Sequence, residues 1–439
     1  MGAARKNLPS WAPWLALACL VVPMFASYYF DDMFSSISYL FSDPSMTRLG
    51  WDAAGYGLYA SGYSVLCVFG GLVVCGILLD KWGVRVAGSV FVCLMVAGAA
   101  LVTAALLGGG SSSLTLAYAG CMVFGLGSEI AGTAVNRSIA KWFKKGHMAL
   151  AMGLQLAIAR LGTAFALVIS PRLVTQMSGH VYELSETARP ALLGMGLMAA
   201  GLILWAIFVA MDARFDNAYK ESGEASSSEG DFRFKDVLGV LGNKNFWLLG
   251  LLCVLFYSSI IAFKKFAGAI LVPRFDMSAD AVGWMVSMLP FSTVIFAPLF
   301  GMMVDKKGKG TRWMILGSIL ALVAHLLLAF APAGVPLYGY LAMVFLGFGY
   351  SLVPAAMWPS VPKIVPEKVL GTTFALIYWV QNLGLLSFKM IAGEILGARG
   401  EAGPVAVEVM FVVLCVAAFA VALLFARSSD RHPELGLDR

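Results

Sequence analysis

Apolar stretches of about 20 residues or more recur along the whole length of this 439-residue chain. Each is long enough to cross roughly 30 Å of hydrocarbon as a helix that rises about 1.5 Å per residue. The stretches are continuously apolar and lack the alternation that barrel strands show. With 60% hydrophobic residues and a mean hydropathy of +0.82, the composition excludes an ordinary soluble domain. We therefore predict an all-α integral membrane protein with twelve transmembrane helices. The predicted spans are 13–38, 53–79, 84–107, 114–140, 148–175, 188–212, 246–273, 281–304, 312–331, 336–361, 371–396 and 405–426.

Basic residues are distributed unevenly between the two sets of loops. If the N-terminus is cytoplasmic, most of the 31 Lys and Arg lie on the cytoplasmic side, which is the side that basic loops prefer. We therefore expect both termini in the cytoplasm. The formal net charge of +6 follows from the same bias, so it does not indicate nucleic-acid binding. The first span is too long for a removable signal peptide.

A long polar segment divides the spans six and six. Residues 216–236 read DNAYKESGEASSSEGDFRFKD and are typical of a cytoplasmic linker. Short motifs recur across it, because FGLGSEI from Phe124 aligns with LGFGYSL from Leu346, and RLG from Arg160 aligns with NLG from Asn382. This repetition indicates a duplicated six-helix unit. The predicted domains are an N-terminal bundle at 1–212, a linker at 213–245 and a C-terminal bundle at 246–439.

The loops after spans two and eight share the pattern Gly-x-x-x-Asp-Lys-x-Gly, as GILLDKWG and GMMVDKKG. Small residues let helices approach closely, and an aspartate at a helix end can pair with a neighbouring helix terminus in one conformation only. In form and place these loops resemble the major facilitator superfamily, whose fold is two pseudo-symmetric six-helix bundles. Basic loops that only set orientation would explain the lysines but not the spacing. The resemblance implies gating residues at Gly76, Asp80, Arg85, Gly301, Asp305 and Arg312.

Several ionisable residues fall inside the predicted spans, where such residues are costly and usually face a water-filled cavity or one another. They are Asp31, Asp32, Glu129, Arg160, Lys264, Lys265 and Lys389. The helix rise places Glu129 and Arg160 close to the midplane, too deep for their side chains to reach either surface. They either line a cavity or form a buried structural ion pair. In the second half Ser351 and Asn382 stand at their positions, and this asymmetry favours a role in substrate binding.

Spans one and seven are equivalent in the two halves, and they carry the opposite dyads FDDM and FKKF. Adjacent helical residues point about 100° apart, so one member of each dyad can face a cavity. We expect Asp32 and Lys264 to do so, with Lys265 supporting them or snorkelling. The alternative is that both dyads snorkel at the outer interface.

Aromatic and amide residues complete the predicted cavity. Tyr56, Tyr59 and Tyr63 share one face of span two, and Gln155 lies one turn before Arg160. In the second half, aromatic and amide residues are concentrated on spans ten and eleven, namely Trp358, Tyr378, Trp379, Gln381 and Asn382. We interpret His325 as a packing residue and the seven cysteines as small hydrophobes without metal-ligand spacing.

Two longer segments, 124–163 and 349–386, resemble the lysosomal major-facilitator dipeptide uniporters of animals. The shared elements include Phe-Gly-x-Gly-x-Glu, Gly-Leu-Gln-Leu and Ala-Arg-x-Gly in the first segment, and Trp-Pro, Leu-Gly-Thr and Gln-Asn-Leu-Gly-Leu in the second. The resemblance implies that Glu129 holds the amino terminus of a dipeptide and Arg160 its carboxylate. Lys264 or Lys389 could assist the arginine. The opening MGAARKNLPSW has no acidic dileucine sorting signal, so we expect a cell membrane, namely a bacterial inner membrane, instead of a lysosomal one.

These observations together predict a secondary transporter that moves a small zwitterion, a dipeptide above all, by rocker-switch alternating access. The predicted substrate-binding residues are Glu129, Arg160, Tyr59, Tyr63, Gln155, Lys264, Lys389, Trp358, Gln381, Asn382 and Asp32. The extra lysines support an alternative, an organic-anion carrier or exchanger with Glu129 or Asp32 carrying a proton. A receptor without flux fits the duplicated gating motif poorly, and no nucleophile and base suggest an enzyme. We expect a monomer in the bilayer, with no cofactor.

Overall fold

The computed structural model describes residues 11–143, 147–175, 180–220, 239–365, 369–433 and 437–438, apart from the side chains of residues 73, 80, 149, 215–220, 305 and 370–372. These residues form a helical bundle. The helices of the first half are α1 (Ala12–Asp32), α2 (Ala53–Leu66), α3 (Leu72–Gly108), α4 (Ser113–Trp142), α5 (Met148–Leu173), the short α6 (Leu184–Thr187) and α7 (Arg189–Lys220). Those of the second half are α8 (Lys244–Lys265), α9 (Ala267–Phe275), α10 (Ala279–Lys307), α11 (Gly310–Phe330), α12 (Pro336–Ile364), α13 (Leu370–Arg399) and α14 (Gly403–Arg431).

Several helices begin where the sequence supplies a cap. The Asp52 carboxylate accepts a hydrogen bond from the Gly55 amide at 2.7 Å at the start of α2. The Ser278 hydroxyl accepts one from the Ala281 amide at 3.2 Å before α10. Both side chains satisfy an amide that has no partner within its own helix. Helix α12 begins with Pro336, whose missing amide hydrogen costs nothing at that position.

The predicted spans are not all single helices. The second predicted span contains α2, a π-helical turn at Cys67–Gly71 and the start of α3, and Gly70 adopts a φ of 93° in that turn. Helix α3 is bent at Gly83, where φ is 73°. Only glycine adopts such angles readily, so both bends are encoded locally. The seventh predicted span is divided at Phe266 between α8 and α9.

Ten described segments are long and apolar enough to cross a membrane. One of them, Thr373–Arg431, contains both α13 and α14, while the interrupted second span is not among the ten. The described helices therefore cover all twelve predicted spans, and the predicted all-α membrane fold is confirmed. Residues 221–238 of the predicted linker lie outside the described residues, so the domain boundaries stay a prediction.

Helices of each half pack mainly on helices of the same half. In the first half α1 packs on α5 and α7, and α3 packs on α4; in the second half α12 packs on α10 and α11, and α8 packs on α13 and α14. The two halves meet where α2 packs on α13 and where α5 packs on α10. A central site can therefore form between the halves, bounded by these two contacts.

The halves are closely packed at the end of the bundle that holds residues 33–52 and 400–402, which we call the outer end. A Cβ atom on Gly57 of α2 would come within 2.9 Å of the Gly393 Cα of α13. A Cβ atom on Gly283 of α10 would collide with the Leu167 carbonyl oxygen of α5. Glycine permits this backbone approach because it has no side chain. The structure is thus closed at the outer end.

Candidate substrate site

Glu129 lies near the middle of α4 and is half-buried. Its carboxylate interacts with the Tyr63 hydroxyl of α2, which also donates to the Ser128 hydroxyl at 3.1 Å. The Ser128 and Ser27 hydroxyls are 2.5 Å apart. These contacts join α1, α2 and α4 around the glutamate. Among the described residues no Lys or Arg lies within ion-pair distance of Glu129.

Arg160 lies on α5 and reaches across to the other half. Its Nη1 donates to the Tyr350 hydroxyl of α12 at 2.5 Å. The guanidinium carbon is 5.1 Å from the centre of the Tyr350 ring and 5.9 Å from that of the Tyr28 ring. Aromatic faces attract a cation but do not neutralise it. The part of the chain that the structure describes offers Arg160 no carboxylate within 4 Å.

Glu129 and Arg160 therefore form no ion pair with each other in the part of the chain that the structure describes. We call these two residues, with Tyr28, Tyr63 and Tyr350, the central site. An acid and a base held apart near the midplane match the two charged ends of a small zwitterion. Gln155, one turn from Arg160, is buried on the same helix.

The two dyads face one another across the halves. Lys264 Nζ lies 2.6 Å from Asp32 Oδ2, and Lys265 Nζ lies 3.0 Å from Asp32 Oδ1 and 2.8 Å from Asp31 Oδ1. We call these four residues the outer charge cluster. Lys265 also donates to the Asp31 carbonyl oxygen, and Thr163 donates to Asp32 at 2.8 Å. Both Asp32 and Lys265 are only 1% exposed, so neither snorkels.

In the outer charge cluster the paired lysines of α8 face the two aspartates of α1. Lys264 also lines a small cavity with Arg160, Thr163 and Tyr350. A second small cavity is lined by Asp31, Lys265, Tyr56 and Tyr59. Each has a free volume of about 10 Å³, close to the minimum for one water molecule. Neither admits a dipeptide in this conformation.

The architecture has known counterparts. The family model described as Major Facilitator Superfamily matches residues 20–270 and 265–438. This chain belongs to the major facilitator superfamily. Members of this superfamily are transporters, so the protein is a multi-pass membrane transporter of small solutes and not an enzyme.

Relatives and solved structures narrow the similarity within the superfamily. The lysosomal dipeptide transporter MFSD1 of Danio rerio is 30% identical over 390 residues, which are 87% of this chain and 79% of that protein. The lysosomal dipeptide transporter MFSD1 of Homo sapiens is 31% identical over 372 residues, or 82% and 74% of the two chains. The crystal structure of a mutant of the nucleoside transporter NupG superimposes with a TM-score of 0.72 at 14% identity, covering 93% of this chain and 99% of the other. The predicted resemblance to dipeptide transporters is therefore confirmed, and the structural match establishes the fold.

Lys389 of α13 lies beside the central site of this major facilitator. It is 2% exposed. Its Nζ donates to the Ala60 carbonyl oxygen at 3.2 Å and lies 5.5 Å from the centre of the Tyr63 ring. Both Glu129 and Asp31 are near enough to act on it electrostatically. Within the described residues no carboxylate is in ion-pair distance of Lys389.

The predicted aromatic residues lie in three places. Tyr63 borders the central site, whereas Tyr59 packs on Phe34, Trp51 and Tyr56 towards the outer end. In the second half Trp358 stacks on Tyr378 at 5.1 Å and donates to the Tyr257 hydroxyl at 3.1 Å.

The two predicted amides of the second half lie on α13. Gln381 accepts a hydrogen bond from Cys253 at 3.4 Å. Asn382 donates to the Tyr378 carbonyl oxygen at 3.1 Å, and its buried Oδ1 has no partner in the described residues. An unsatisfied amide oxygen is a free acceptor for a ligand.

The predicted gating motifs are described only in part, because the side chains of Asp80 and Asp305 lie outside the described residues. A Cβ atom on Gly76 or Gly301 would meet nothing within 4 Å. Neither glycine makes a close helix contact in this conformation. Arg85 lies 3.8 Å from Asp212 of the same half, and Arg312 is exposed.

Sequence reasoning missed four residues. Tyr28 and Tyr350 contact Arg160. The repeat alignment offered a signal for Tyr350, because Tyr350 directly precedes Ser351, the residue aligned with Glu129. His325 was interpreted only as packing, but its Nδ1 lies 2.8 Å from Glu408 Oε2, and both side chains are fully buried. Glu408 lies inside the last predicted span and carried the same signal as the other intramembrane acids. Thr163 gave no signal, because a lone threonine in an apolar helix is common.

Proposed function

We propose that this transporter moves small zwitterionic solutes, dipeptides above all, by rocker-switch alternating access. Glu129 would bind the free amino group of the dipeptide, and Arg160 would bind its carboxylate. The observation that carries the proposal is that neither charge has a protein partner of opposite sign in the described residues, although both lie inside an apolar bundle and both act electrostatically on Tyr28. Leaving both charges unpaired costs free energy that a zwitterion would recover.

The geometry of Arg160 supports carboxylate binding. Its Nη1 is held by Tyr350 and its plane is flanked by two tyrosine rings, so the side chain is ordered before a ligand arrives. A guanidinium can then donate two parallel hydrogen bonds to a carboxylate. The named relatives from Danio rerio and Homo sapiens are dipeptide transporters, which favours a dipeptide over other zwitterions.

The closed outer end supports alternating access. The Gly57–Gly393 contact, the ion pair of Arg172 with Asp280 at 3.0 Å and the outer charge cluster all join the halves there. These contacts must break for the outer end to open. The loose packing of Gly76 and Gly301 in the present conformation is consistent with a role in the outward-open state. The residues that would engage in that state are Gly76, Asp80, Arg85, Gly301, Asp305 and Arg312.

The proposal includes the setting of the protein. We place both termini in the cytoplasm, the bundles at 1–212 and 246–439, and the transporter as a monomer in a cell membrane, a bacterial inner membrane. The support is the basic bias of the loops on one side. Reporter fusions at the C-terminus and in the 216–236 segment would both have to show a cytoplasmic signal.

A second candidate is transport of small organic anions. It is favoured by Lys389, a buried cation without a carboxylate in ion-pair distance among the described residues. In that case Arg160 and Lys389 would both bind carboxylates, and Glu129 would carry a proton.

Blocked dipeptides distinguish the two candidates. We would measure thermal stabilisation of the purified protein by Ala-Ala, by N-acetyl-Ala-Ala, by Ala-Ala amide and by dicarboxylates. The proposal expects stabilisation by Ala-Ala alone, lost in both Glu129→Gln and Arg160→Ala. Matched controls are Glu401→Gln and Arg399→Ala, at exposed residues of the outer end, and both should keep the stabilisation by Ala-Ala.

The opposite pattern would overturn the dipeptide proposal. Stabilisation by dicarboxylates and N-acetyl-Ala-Ala that survives Glu129→Gln but not Arg160→Ala would establish the anion carrier in its place.

A further inference from the structure

The charges between the halves do not balance. Lys264, Lys265 and Lys389 contribute three positive charges near the outer half of the interface, whereas Asp31 and Asp32 contribute two negative ones. The two aspartates are already bonded to Lys264 and Lys265 at 2.6–3.0 Å. One cation therefore remains, and by position it is Lys389.

The surroundings of Lys389 supply no carboxylate within ion-pair distance among the described residues. The Ala60 carbonyl oxygen accepts one hydrogen bond at 3.2 Å, and the Tyr63 ring offers a face at 5.5 Å. At 2% exposure the ammonium group has almost no contact with solvent. A buried ammonium without a carboxylate is unfavourable, and a ligand that supplies one would be stabilised accordingly. Asp31 and Glu129 act on Lys389 only from a distance; the Asp31 carboxylate is bonded to Lys265, and Glu129 is the residue proposed to bind the amino group of the substrate.

The contact with Tyr63 shows that Lys389 lies at the Glu129 end of the central site. Its ring faces the Lys389 ammonium, while its hydroxyl interacts with the Glu129 carboxylate. Arg160 lies instead against Tyr28 and Tyr350. If Glu129 holds the amino group of a dipeptide, the side chain nearest to Lys389 is that of the first residue.

We infer that Lys389 is a specificity residue that favours dipeptides with an acidic first residue. The inference rests on the proposed dipeptide function and adds a side-chain subsite to it. Glu129 and Arg160 bind the two termini, which are the same in every dipeptide, and Lys389 distinguishes among their side chains. A carboxylate at the first residue would neutralise the remaining cation, an amide would not, and a lysine would add to the excess charge.

The test is a competition experiment in proteoliposomes with radiolabelled Ala-Ala and five unlabelled competitors: Ala-Ala, Glu-Ala, Gln-Ala, Ala-Glu and Lys-Ala. In the wild type Glu-Ala should compete about tenfold or more better than Gln-Ala, which is the size of a charged hydrogen bond. Ala-Glu should show no such advantage over Ala-Ala, and Lys-Ala should be the weakest.

Lys389→Gln should bring the ratio of Glu-Ala to Gln-Ala close to one, and Lys389→Arg should keep it above one. Lys244→Gln, an exposed lysine at the start of α8, is the matched control and should keep the wild-type ratio.

The outcomes separate the two levels of the argument. Equal competition by Glu-Ala and Gln-Ala in the wild type would overturn the inference without any variant, and so would an equal advantage for Ala-Glu. A ratio that survives Lys389→Gln would also overturn it. In each of these cases competition by Ala-Ala leaves the dipeptide function intact. Absence of any dipeptide uptake by the wild type would overturn the proposed function, and the inference with it.

Discussion

The outer charge cluster and the central site use the same residue types in opposite ways. In the cluster, Lys264 and Lys265 lie 2.6–3.0 Å from the aspartates of α1, and Thr163 donates a further bond. In the central site Arg160 is bonded to Tyr350, Glu129 lies beside Tyr63, and neither has an ion-pair partner among the described residues. Charges that satisfy one another hold the halves together, whereas charges left unsatisfied are available to a ligand. The difference separates a closing contact from a binding site within one interface.

The largest effect should come from breaking the cluster at its centre. Asp32→Asn removes the acid that both lysines share and leaves two buried cations with one partner. Removing one member of a buried ion pair typically costs about 3–5 kcal/mol. We expect a clear fall in the melting temperature of the purified protein, measured without substrate.

Asp31→Asn is the matched control on the adjacent residue. Among the described residues Asp31 pairs with Lys265 alone, and its side chain is 27% exposed, so the fall should be much smaller. Equal effects of the two substitutions would contradict the view that the cluster is organised around Asp32.

A smaller effect should follow from loosening the central site. Tyr350→Phe removes the hydroxyl that accepts from Arg160 but keeps the ring against the guanidinium. A hydrogen bond to a charged group contributes about 1.5–3 kcal/mol, but a freed guanidinium can still bind substrate. We expect a roughly tenfold loss of apparent affinity for Ala-Ala in uptake assays, with a small change in melting temperature.

Tyr257→Phe serves for comparison, because its hydroxyl bonds to Trp358 and not to Arg160. This substitution should leave the apparent affinity for Ala-Ala close to that of the wild type. If Tyr350→Phe lowered the melting temperature as much as Asp32→Asn, Arg160 and Tyr350 would act as a closing contact, and the distinction between the two regions would be lost.

The smallest effect is expected for a paired acid outside the membrane-spanning helices. Glu186 of α6 lies 2.8 Å from His180 and accepts from the Thr175 amide at 2.6 Å. Burial tends to raise the pKa of Glu186, but the hydrogen bonds from His180 and Thr175 outweigh it and lower the pKa below the usual 4.5. A lowered pKa means that the ionised form stabilises the fold above about pH 4.5 and that this contribution is lost as the pH falls through the folded-state pKa.

Glu186→Gln should therefore lower the melting temperature slightly at pH 7 and reduce its decline on acidification below about pH 4.5. Melting curves of both proteins, recorded from neutral pH down to below the folded-state pKa, test this. If Glu186→Gln lowered the melting temperature as much as Asp32→Asn, burial within the bundle would not explain the large effect expected for the outer charge cluster.

Much of the site was predictable because the membrane makes polar residues conspicuous. Seven intramembrane charges were identified from the sequence, and six of them contact the opposite half, whereas Glu129 lies among α1, α2 and α4. Their partners were less predictable. Tyr28 and Tyr350 are ordinary residues in apolar helices, and only their proximity to Arg160 distinguishes them. Glu408 was overlooked because it lies near the end of a span, yet it is fully buried against His325.

By itself the sequence determined the fold class, the duplicated halves and the charged residues of the interface. These follow from local properties, namely helix length against membrane thickness, short motifs that recur across the polar segment and the cost of a charge in hydrocarbon. Only the tertiary structure decided which charges meet. Asp32 and Lys264 are 232 residues apart in the chain, and Arg160 and Tyr350 are 190 apart. No local pattern fixes such distances, because they depend on how two bundles pack across an interface. That packing paired the four charges of the outer cluster and left Glu129, Arg160 and Lys389 without an ion-pair partner among the described residues.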